Sequence, residues 1–212
     1  MTETIIDAGA GIVKCEHRKV AIIGAGPGRA EAPWHDDSYC WWALNAIHQR
    51  RFDRHFELHP MNVQSKKDLA FLASCPTPCY VLDLAESAGL VKHAVQFPLE
   101  PLRLSGFRMY ATCTFAYQIM LAVLDGFAEI GLWGVDLFLG SPRERTVERA
   151  CVEYWLGFAE GRGVKIVADS RLAHHRSDWL YGYDYNAELH GVEAAMWELG
   201  DVIDRTFGQR EP

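Results

Sequence analysis

The sequence lacks an excess of positive charge, and this absence bears on its partners. The 212 residues include 21 Lys and Arg against 28 Asp and Glu, which gives a formal net charge of −7. Proteins that bind nucleic acid or anionic membranes generally depend on excess Lys and Arg. The charge therefore disfavours DNA as a partner, although Arg143–Arg149 and Arg162 could still form a local basic groove.

A long apolar run, a secretory leader pattern and a regular cysteine spacing are also missing. No apolar stretch approaches the ~20 residues needed to cross a bilayer, and the first residues lack a basic segment followed by an apolar one. The six cysteines are scattered through apolar segments, which is typical of a reducing compartment. We therefore predict a soluble cytoplasmic protein with no membrane partner.

What is present is an alternation of apolar β-rich runs with segments of helical periodicity. The predicted strands are Val20–Gly24, Cys40–Asn45, His55–His59, Cys79–Leu84, Ala128–Asp136 and Val164–Asp169. The predicted helices are Ser65–Ser74, Ala111–Leu124, Arg145–Glu160 and Ala187–Phe207. Strands separated by helices pair in parallel through right-handed crossovers.

The fold class predicted from this pattern is α/β. We expect a single Rossmann-like domain, with a mostly parallel sheet and helices on both faces. The predicted divisions are an N-terminal extension over residues 1–18, a nucleotide-binding domain over 19–185, and a C-terminal helix and tail over 186–212.

The first predicted strand leads into a glycine-rich turn, "GAGPG". Its residues, Gly24, Ala25, Gly26, Pro27 and Gly28, form G-x-G-x-G and not the G-x-G-x-x-G of dinucleotide-binding proteins. The second strand ends in Asn45, where such proteins carry an acidic residue for the ribose, and the lysine of a P-loop is missing. The turn therefore indicates either a mononucleotide or nucleotide-sugar site, or a tight turn that binds no ligand.

Asp136 lies near the carboxyl end of the predicted strand "GLWGVDLF". If this strand and the first one are both central, the carboxylate comes close to the glycine turn. It could then accept hydrogen bonds from ribose hydroxyls. The alternative is a turn aspartate, which is common after strands.

The segment "RHFELHP" contains His55, Glu57 and His59 at alternate positions. On a straight strand they share one face but span about 13 Å, which is too far for one metal ion. We therefore predict no bound metal and a polar active-site role for Glu57 and His59, as candidates for general-base chemistry; the alternative is a plain hydrogen-bonded structural role. Arg149 is a candidate phosphate contact, and Tyr181 in "WLYGYDYN" is a candidate stacking surface.

These motifs together carry a family resemblance. The stretches "KVAIIGAGPG" and "ATCTFAYQIMLAVLDGFAEIGLWGVDLF" resemble the bacterial sialyltransferases of glycosyltransferase family 42, and equally the archaeal 6-hydroxymethylpterin diphosphokinases. The matching residues are Gly24, Gly26, Pro27, Asn45, Thr112 to Thr114, Gly134 and Asp136. The resemblance implies a nucleotide-type donor bound by the glycine turn, Asn45, Thr114 and Asp136, with an acceptor over the carboxyl edge of the sheet.

A closer resemblance is to uncharacterised phage and prophage proteins. It rests on "APWHDD", "ELH", "GFAEGRGVKI" and "LYGYDYN". This resemblance makes Trp34 and Asp37, in the first of these motifs, candidate acceptor contacts. It also makes a modified nucleotide or DNA base a conceivable acceptor, although the net charge disfavours DNA.

The sequence departs from the sialyltransferase pattern at two places. Gly28 replaces the serine that follows G-x-G-P, and no histidine lies near Thr146, where those enzymes carry their catalytic base. Glu144, Glu148 and Glu153 lie near that position, and Glu144 joins Glu57 and His59 as a candidate base.

The function predicted from the sequence is transfer of a group from a nucleotide-activated donor to a hydroxyl acceptor. Two alternatives stay open: a nucleotide- or metabolite-binding module without activity, and a diphosphokinase-like enzyme that uses ATP and Mg²⁺. Only the second alternative requires a metal. A homo-oligomer is compatible with the sequence.

Overall fold

The described part of the chain contains nine strands and five α-helices, and comprises residues 6–7, 12–13, 17–47, 52–137, 141–168 and 172 of a computed structural model. All of these residues belong to the unit Met1–Arg176. The strands are β1 (Ile6–Asp7), β2 (Ile12–Val13), β3 (Lys19–Ile23), β4 (Tyr39–Leu44), β5 (Arg54–Phe56), β6 (Cys79–Val81), β7 (Ala94–Gln96), β8 (Glu129–Trp133) and β9 (Lys165–Ala168). The helices are α1 (Lys66–Leu72), α2 (Leu84–Ser87), α3 (Leu99–Leu104), α4 (Thr114–Leu124) and α5 (Arg149–Gly161).

Seven of the strands form one parallel sheet in the order β7-β6-β5-β4-β3-β8-β9, and β1 and β2 form a separate antiparallel pair. The predicted α/β fold class and parallel sheet are therefore confirmed. Strand β3 lies at the centre: Val20 is in register with Cys40 of β4 on one side and with Ile130 of β8 on the other. Val20, Cys40 and Ile130 are fully buried, as expected for a parallel sheet covered on both faces.

The order of the strands reverses at β3. From β3 the chain builds outward through β4, β5, β6 and β7, then returns to place β8 on the other side of β3. Connections on the two sides leave the sheet in opposite directions, which opens a crevice at the carboxyl ends of β3 and β8. The turns that follow these two strands therefore lie at this crevice.

Local sequence signals explain where several helices begin and end. Ser65 caps α1 by accepting a hydrogen bond from the Asp68 amide, and Asp83 caps α2 through the amides of Ala85 and Glu86. Gly126, at φ +80°, lies just after α4, and confirms the predicted stop of this helix.

Some elements differ from the prediction. Strand β5 ends at Phe56, so Glu57 and His59 belong to the segment after the strand. The helix predicted from Arg145 begins with a π-helical turn, Glu144–Glu148, which precedes α5. Strand β7 and helices α2 and α3 were not predicted, because short elements carry too little periodicity to be read. The predicted helix Ala187–Phe207 lies outside the described residues.

Two short 3₁₀ helices, Pro27–Glu31 and Met61–Val63, complete the described elements. None of the described helices combines the length and the apolar character that crossing a bilayer requires.

Candidate functional site

A cleft of about 850 Å³ lies at the carboxyl ends of β3, β4 and β8. Segments after four neighbouring strands contribute to its walls, together with the start of α4 and the π-helical turn. The lining residues are Ala25, Gly26, Arg29, Leu44, Asn45, Ala46, Ile47, Leu58, His59, Ala111, Thr112, Cys113, Thr114, Phe115, Tyr117, Gly134, Val135, Asp136, Leu137, Arg143 and Glu148. The structure therefore brings Ala25, Gly26, Asn45, Thr114 and Asp136 together with His59.

The glycine turn packs directly on the segment that follows β8. A Cβ atom on Gly26 would lie 2.4 Å from Asp136 Oδ2, and one on Gly24 would lie 2.2 Å from the carbonyl oxygen of Gly134. Both distances are too short for any larger residue. The two glycines are thus required by the close approach of two backbone segments.

Two amides of this turn are already used within the protein. Gly24 N donates to Trp133 O and Gly26 N donates to Gly134 O, each at 2.8 Å. Pro27 has no amide hydrogen to donate, and Arg29 N donates to Gly26 O. Fewer amides of this turn are therefore available to a phosphate, and Ala25 and Gly26 are the residues of the turn that line the cleft.

The start of α4 supplies a second group of donors. Cys113 lies at the N-cap position, where its sulfur is a weak partner for the amides of Phe115 and Ala116, and Thr112, Cys113, Thr114 and Phe115 all line the cleft. The first amides of a helix attract anions through their hydrogen atoms and the helix dipole. Burial raises the pKa of the Cys113 thiol to about 12, so the sulfur stays neutral and is not a nucleophile at neutral pH.

Glu57 and His59 form a hydrogen-bonded pair beside the cleft. Glu57 Oε1 lies 2.7 Å from His59 Nδ1 and also accepts the His59 amide at 3.2 Å. The Glu57 side chain is 2% exposed, whereas that of His59 is 53% exposed. With Nδ1 donating to the carboxylate, the second ring nitrogen of His59 is the basic one, and it belongs to an exposed ring in the cleft lining.

Two arginines line the cleft. Arg29, half-buried just after the glycine turn, forms no ion pair with any described acidic residue. Arg143 pairs with Glu148 across the π-helical turn, with 3.3 Å between Arg143 Nε and Glu148 Oε1. Neither arginine was named as a site residue from the sequence.

Apolar and aromatic side chains complete the walls, and sequence reasoning missed them as well. They are Leu44, Ile47, Leu58, Phe115 and Tyr117. Their positions next to strand ends and at a helix start were a usable signal, but an apolar residue there cannot be told from a core residue by sequence pattern.

Several predicted site residues lie elsewhere. Gly24, Pro27 and Gly28 belong to the turn but do not line the cleft. Trp34 stacks on Trp41 with ring centroids 4.9 Å apart, and lines a separate shallow cavity next to His35 and Asp36.

Asp37 is exposed and does not line the cleft, while Arg149 pairs with Glu153 at 2.8 Å and is also absent from the lining. The Glu144 side chain and Tyr181 lie outside the described part of the structure. Within the described ranges, no group of three or more His, Cys, Asp or Glu side chains is arranged to hold a metal ion.

Comparison with known proteins finds similarity in structure and not in sequence. No protein-family model and no curated protein sequence matches the chain. Solved structures of Campylobacter jejuni sialyltransferases do match its fold, at low sequence identity.

The α-2,3-sialyltransferase of Campylobacter jejuni in apo form matches with a TM-score of 0.56 and 15% identity. The match covers 77% of this chain and 80% of the enzyme. The monofunctional α-2,3-sialyltransferase Cst-I of the same organism matches with a TM-score of 0.52 and 14% identity, over 90% of this chain and 98% of the enzyme. The sialyltransferase CstII from Campylobacter jejuni, in complex with cytidine-5′-monophosphate, matches with a TM-score of 0.52 and 13% identity. The match covers 73% of this chain and 81% of CstII. This chain therefore shares the fold of these sialyltransferases.

Proposed function

We propose that this protein is a glycosyltransferase-like enzyme that transfers a sugar from a nucleotide-activated donor to a hydroxyl acceptor. One observation carries the proposal: a cleft at the switch point of the sheet is lined by the start of α4, by Gly26 and Asp136, and by His59 of the Glu57–His59 pair. The shared fold supports it, because CstII binds cytidine-5′-monophosphate.

The donor's nucleotide occupies the part of the cleft between the glycine turn and α4. Its phosphate contacts the first amides of α4 and the Arg29 guanidinium, two groups of donors that belong to residues of this lining. Asp136 accepts hydrogen bonds from the ribose hydroxyls. The donor is of the CMP type, like the ligand of CstII, and Arg29 is the one arginine of the described lining that has no acidic partner before the donor binds.

His59 acts as the general base. Its second ring nitrogen takes the proton from the acceptor hydroxyl, and the oxygen forms a bond to the anomeric carbon of the donor sugar. The bond from that carbon to the phosphate oxygen breaks, and the nucleotide leaves with the electron pair. Glu57 holds the ring in one tautomer and stabilises the imidazolium that forms.

The acceptor approaches over the ends of β5 and β6. A smaller cavity of about 60 Å³ shares Leu58 and His59 with the main cleft and is also lined by Asp83 and Glu86. These two carboxylates disfavour a phosphate-bearing acceptor such as DNA by charge repulsion.

The test is a thermal-shift panel of CMP, UDP, GDP and ATP and their sugar conjugates, each with and without Mg²⁺. A ligand present at about 100 times its Kd stabilises the native state by roughly 2.7 kcal/mol, or about 5–10 °C in a domain of this size. We expect CMP and its conjugates to raise Tm. Thr114→Val and Asp136→Asn should reduce that shift, whereas Thr77→Val, outside the cleft lining, should not.

A panel in which no nucleotide changes Tm would overturn the proposal. Nucleotide binding without turnover of any sugar conjugate would support the non-catalytic binding module. A shift given by ATP alone, and only with Mg²⁺, would support the diphosphokinase-like enzyme.

A further inference from the structure

An ion pair lies in the wall of the cleft at the π-helical turn Glu144–Glu148. Arg143 and Glu148 both line the cleft, with Arg143 Nε 3.3 Å from Glu148 Oε1. The Arg143 side chain is 70% exposed and that of Glu148 is 19% exposed. The guanidinium is therefore accessible, while the carboxylate is held in place by its surroundings.

The π-helical geometry is what allows this pair to form. Residues five apart in an α-helix point roughly 140° away from each other around the axis, because each turn holds 3.6 residues. A π-helix closes hydrogen bonds between residues five apart and so brings them onto one face. The wider turn thus places both charges of the pair toward the same space.

The turn is also tied to the proposed phosphate site. Thr112 Oγ1 donates to Val147 O at 3.3 Å, which links the segment before α4 to the π-helical turn. Thr112 itself lines the cleft together with Cys113 and Thr114. Arg143 therefore belongs to a wall that is attached to the amides expected to hold the donor's phosphate.

We infer that Arg143 exchanges Glu148 for the phosphate of the donor, and that Glu148 is the competing partner of Arg143 when no donor is bound. This inference rests on the proposed function. An exposed ion pair in water is weak, whereas arginine binds phosphate through two parallel charge-assisted hydrogen bonds. The exchange therefore favours the ligand, and it gives the site a second cation only when a phosphate is present.

The exchange makes two opposite predictions for the two members of the pair. Without Arg143 the phosphate loses a charge-assisted contact. Without the Glu148 carboxylate, the phosphate no longer competes with an anion for Arg143. A purely structural pair would show neither effect, since both variants would then alter stability alone.

The experiment measures the Kd of CMP and of cytidine by isothermal titration calorimetry for the 212-residue chain, and uses the ratio of the cytidine Kd to the CMP Kd. Arg143→Gln should lower this ratio about tenfold, and Arg143→Lys should restore part of it. Glu148→Gln should raise the ratio severalfold. The matched control is Arg103→Gln, which removes the exposed arginine of the Arg103–Glu100 pair on α3, outside the cleft.

A ratio for Arg143→Gln within twofold of the Arg103→Gln ratio would overturn the inference while leaving the proposed function intact. So would a lower ratio for Glu148→Gln. If another nucleotide in the thermal-shift panel binds in place of CMP, that nucleotide and its nucleoside are used in the same way. If the wild-type chain binds no nucleotide, the proposed function and this inference fail together.

Discussion

Gly26 and Asp136 are in direct contact across the crevice between β3 and β8. The contact is so close that a single methyl group on Gly26 would overlap Asp136 Oδ2 and approach the Gly134 carbonyl to 2.8 Å. Gly26 N also donates to that carbonyl. The glycine turn and the segment after β8 thus form one packed unit at the floor of the cleft.

This packing predicts that Gly26→Ala is destabilising. Overfilling a packed site costs about 1–3 kcal/mol, and a backbone carbonyl cannot move aside as a flexible side chain can. The control is Gly157→Ala in α5, where an added Cβ meets nothing within 4 Å and alanine should stabilise the helix by up to about 1 kcal/mol. Urea unfolding measures both. Equal free energies of unfolding for Gly26→Ala and the wild type would contradict the observed packing.

Glu57→Gln should lower kcat while leaving nucleotide affinity unchanged. The glutamine cannot stabilise an imidazolium at His59 with a full negative charge, so the proton transfer step weakens. We expect a loss of about tenfold or more in kcat, with His59→Gln losing about 10²–10⁴-fold. Sugar-transfer assays and calorimetry with CMP separate the two effects. A change in CMP affinity for Glu57→Gln, with kcat unaltered, would remove this pair from the chemistry.

Breaking the buried ion pair of Arg54 and Asp125 should strongly lower the free energy of unfolding. Arg54 Nη1 lies 2.5 Å from Asp125 Oδ2, and the two side chains are 1% and 7% exposed. The guanidinium also lies 4.7 Å from the centroid of the Trp42 ring. Asp125→Ala would leave Arg54 charged and buried, at a cost of about 3–5 kcal/mol.

The comparison for Asp125→Ala is Glu100→Ala, which breaks the exposed Glu100–Arg103 pair and should cost no more than about 1 kcal/mol. Chemical unfolding of both variants decides the matter. Similar costs for the two would show that Arg54 is accommodated by water or by its other contacts once the Asp125 carboxylate is gone.

The stability of the protein should fall at both low and high pH because of one hydrogen-bonded group, Tyr39, Glu129 and Lys165. Burial raises the pKa of Glu129, but hydrogen bonds from Lys165 and Tyr39 outweigh it and hold the pKa below its ordinary value of 4.5. The resulting stability is present above that value and is lost as pH falls through the native pKa. Burial, and then the hydrogen bond to Glu129, raise the pKa of Tyr39 well above 10.0. The stability that this group contributes is present below 10.0 and is lost as pH rises through the native pKa.

We therefore expect Glu129→Gln to flatten the acid side of the stability profile. We expect Tyr39→Phe to flatten the alkaline side, whereas Tyr154→Phe, at a partly exposed tyrosine of α5, leaves both sides unchanged. Free energies of unfolding measured between pH 3 and pH 11 test this. An acid limb that is as steep in Glu129→Gln as in the wild type would show that other carboxylates control it.

By itself the sequence determined the parallel sheet and the place of the glycine turn. Within β3 and β8 the runs "VAII" and "IGLW" are apolar throughout, and helical segments separate them, so the pattern alone predicts buried parallel strands. The same local reasoning predicted the stop of α4 at Gly126. These features depend on neighbouring residues along the chain, which is why they can be read from it.

Only the tertiary structure decided which polar groups meet. Strand order brings Asp136 onto Gly26, and the early end of β5 at Phe56 places His59 in the cleft beyond a buried Glu57. The pairing of Arg143 with Glu148 depends on a π-helical turn, which the α-helical spacing used to read the sequence does not describe. Contacts of this kind depend on the crossover connections and on the local helical register, and no periodicity along the chain encodes them.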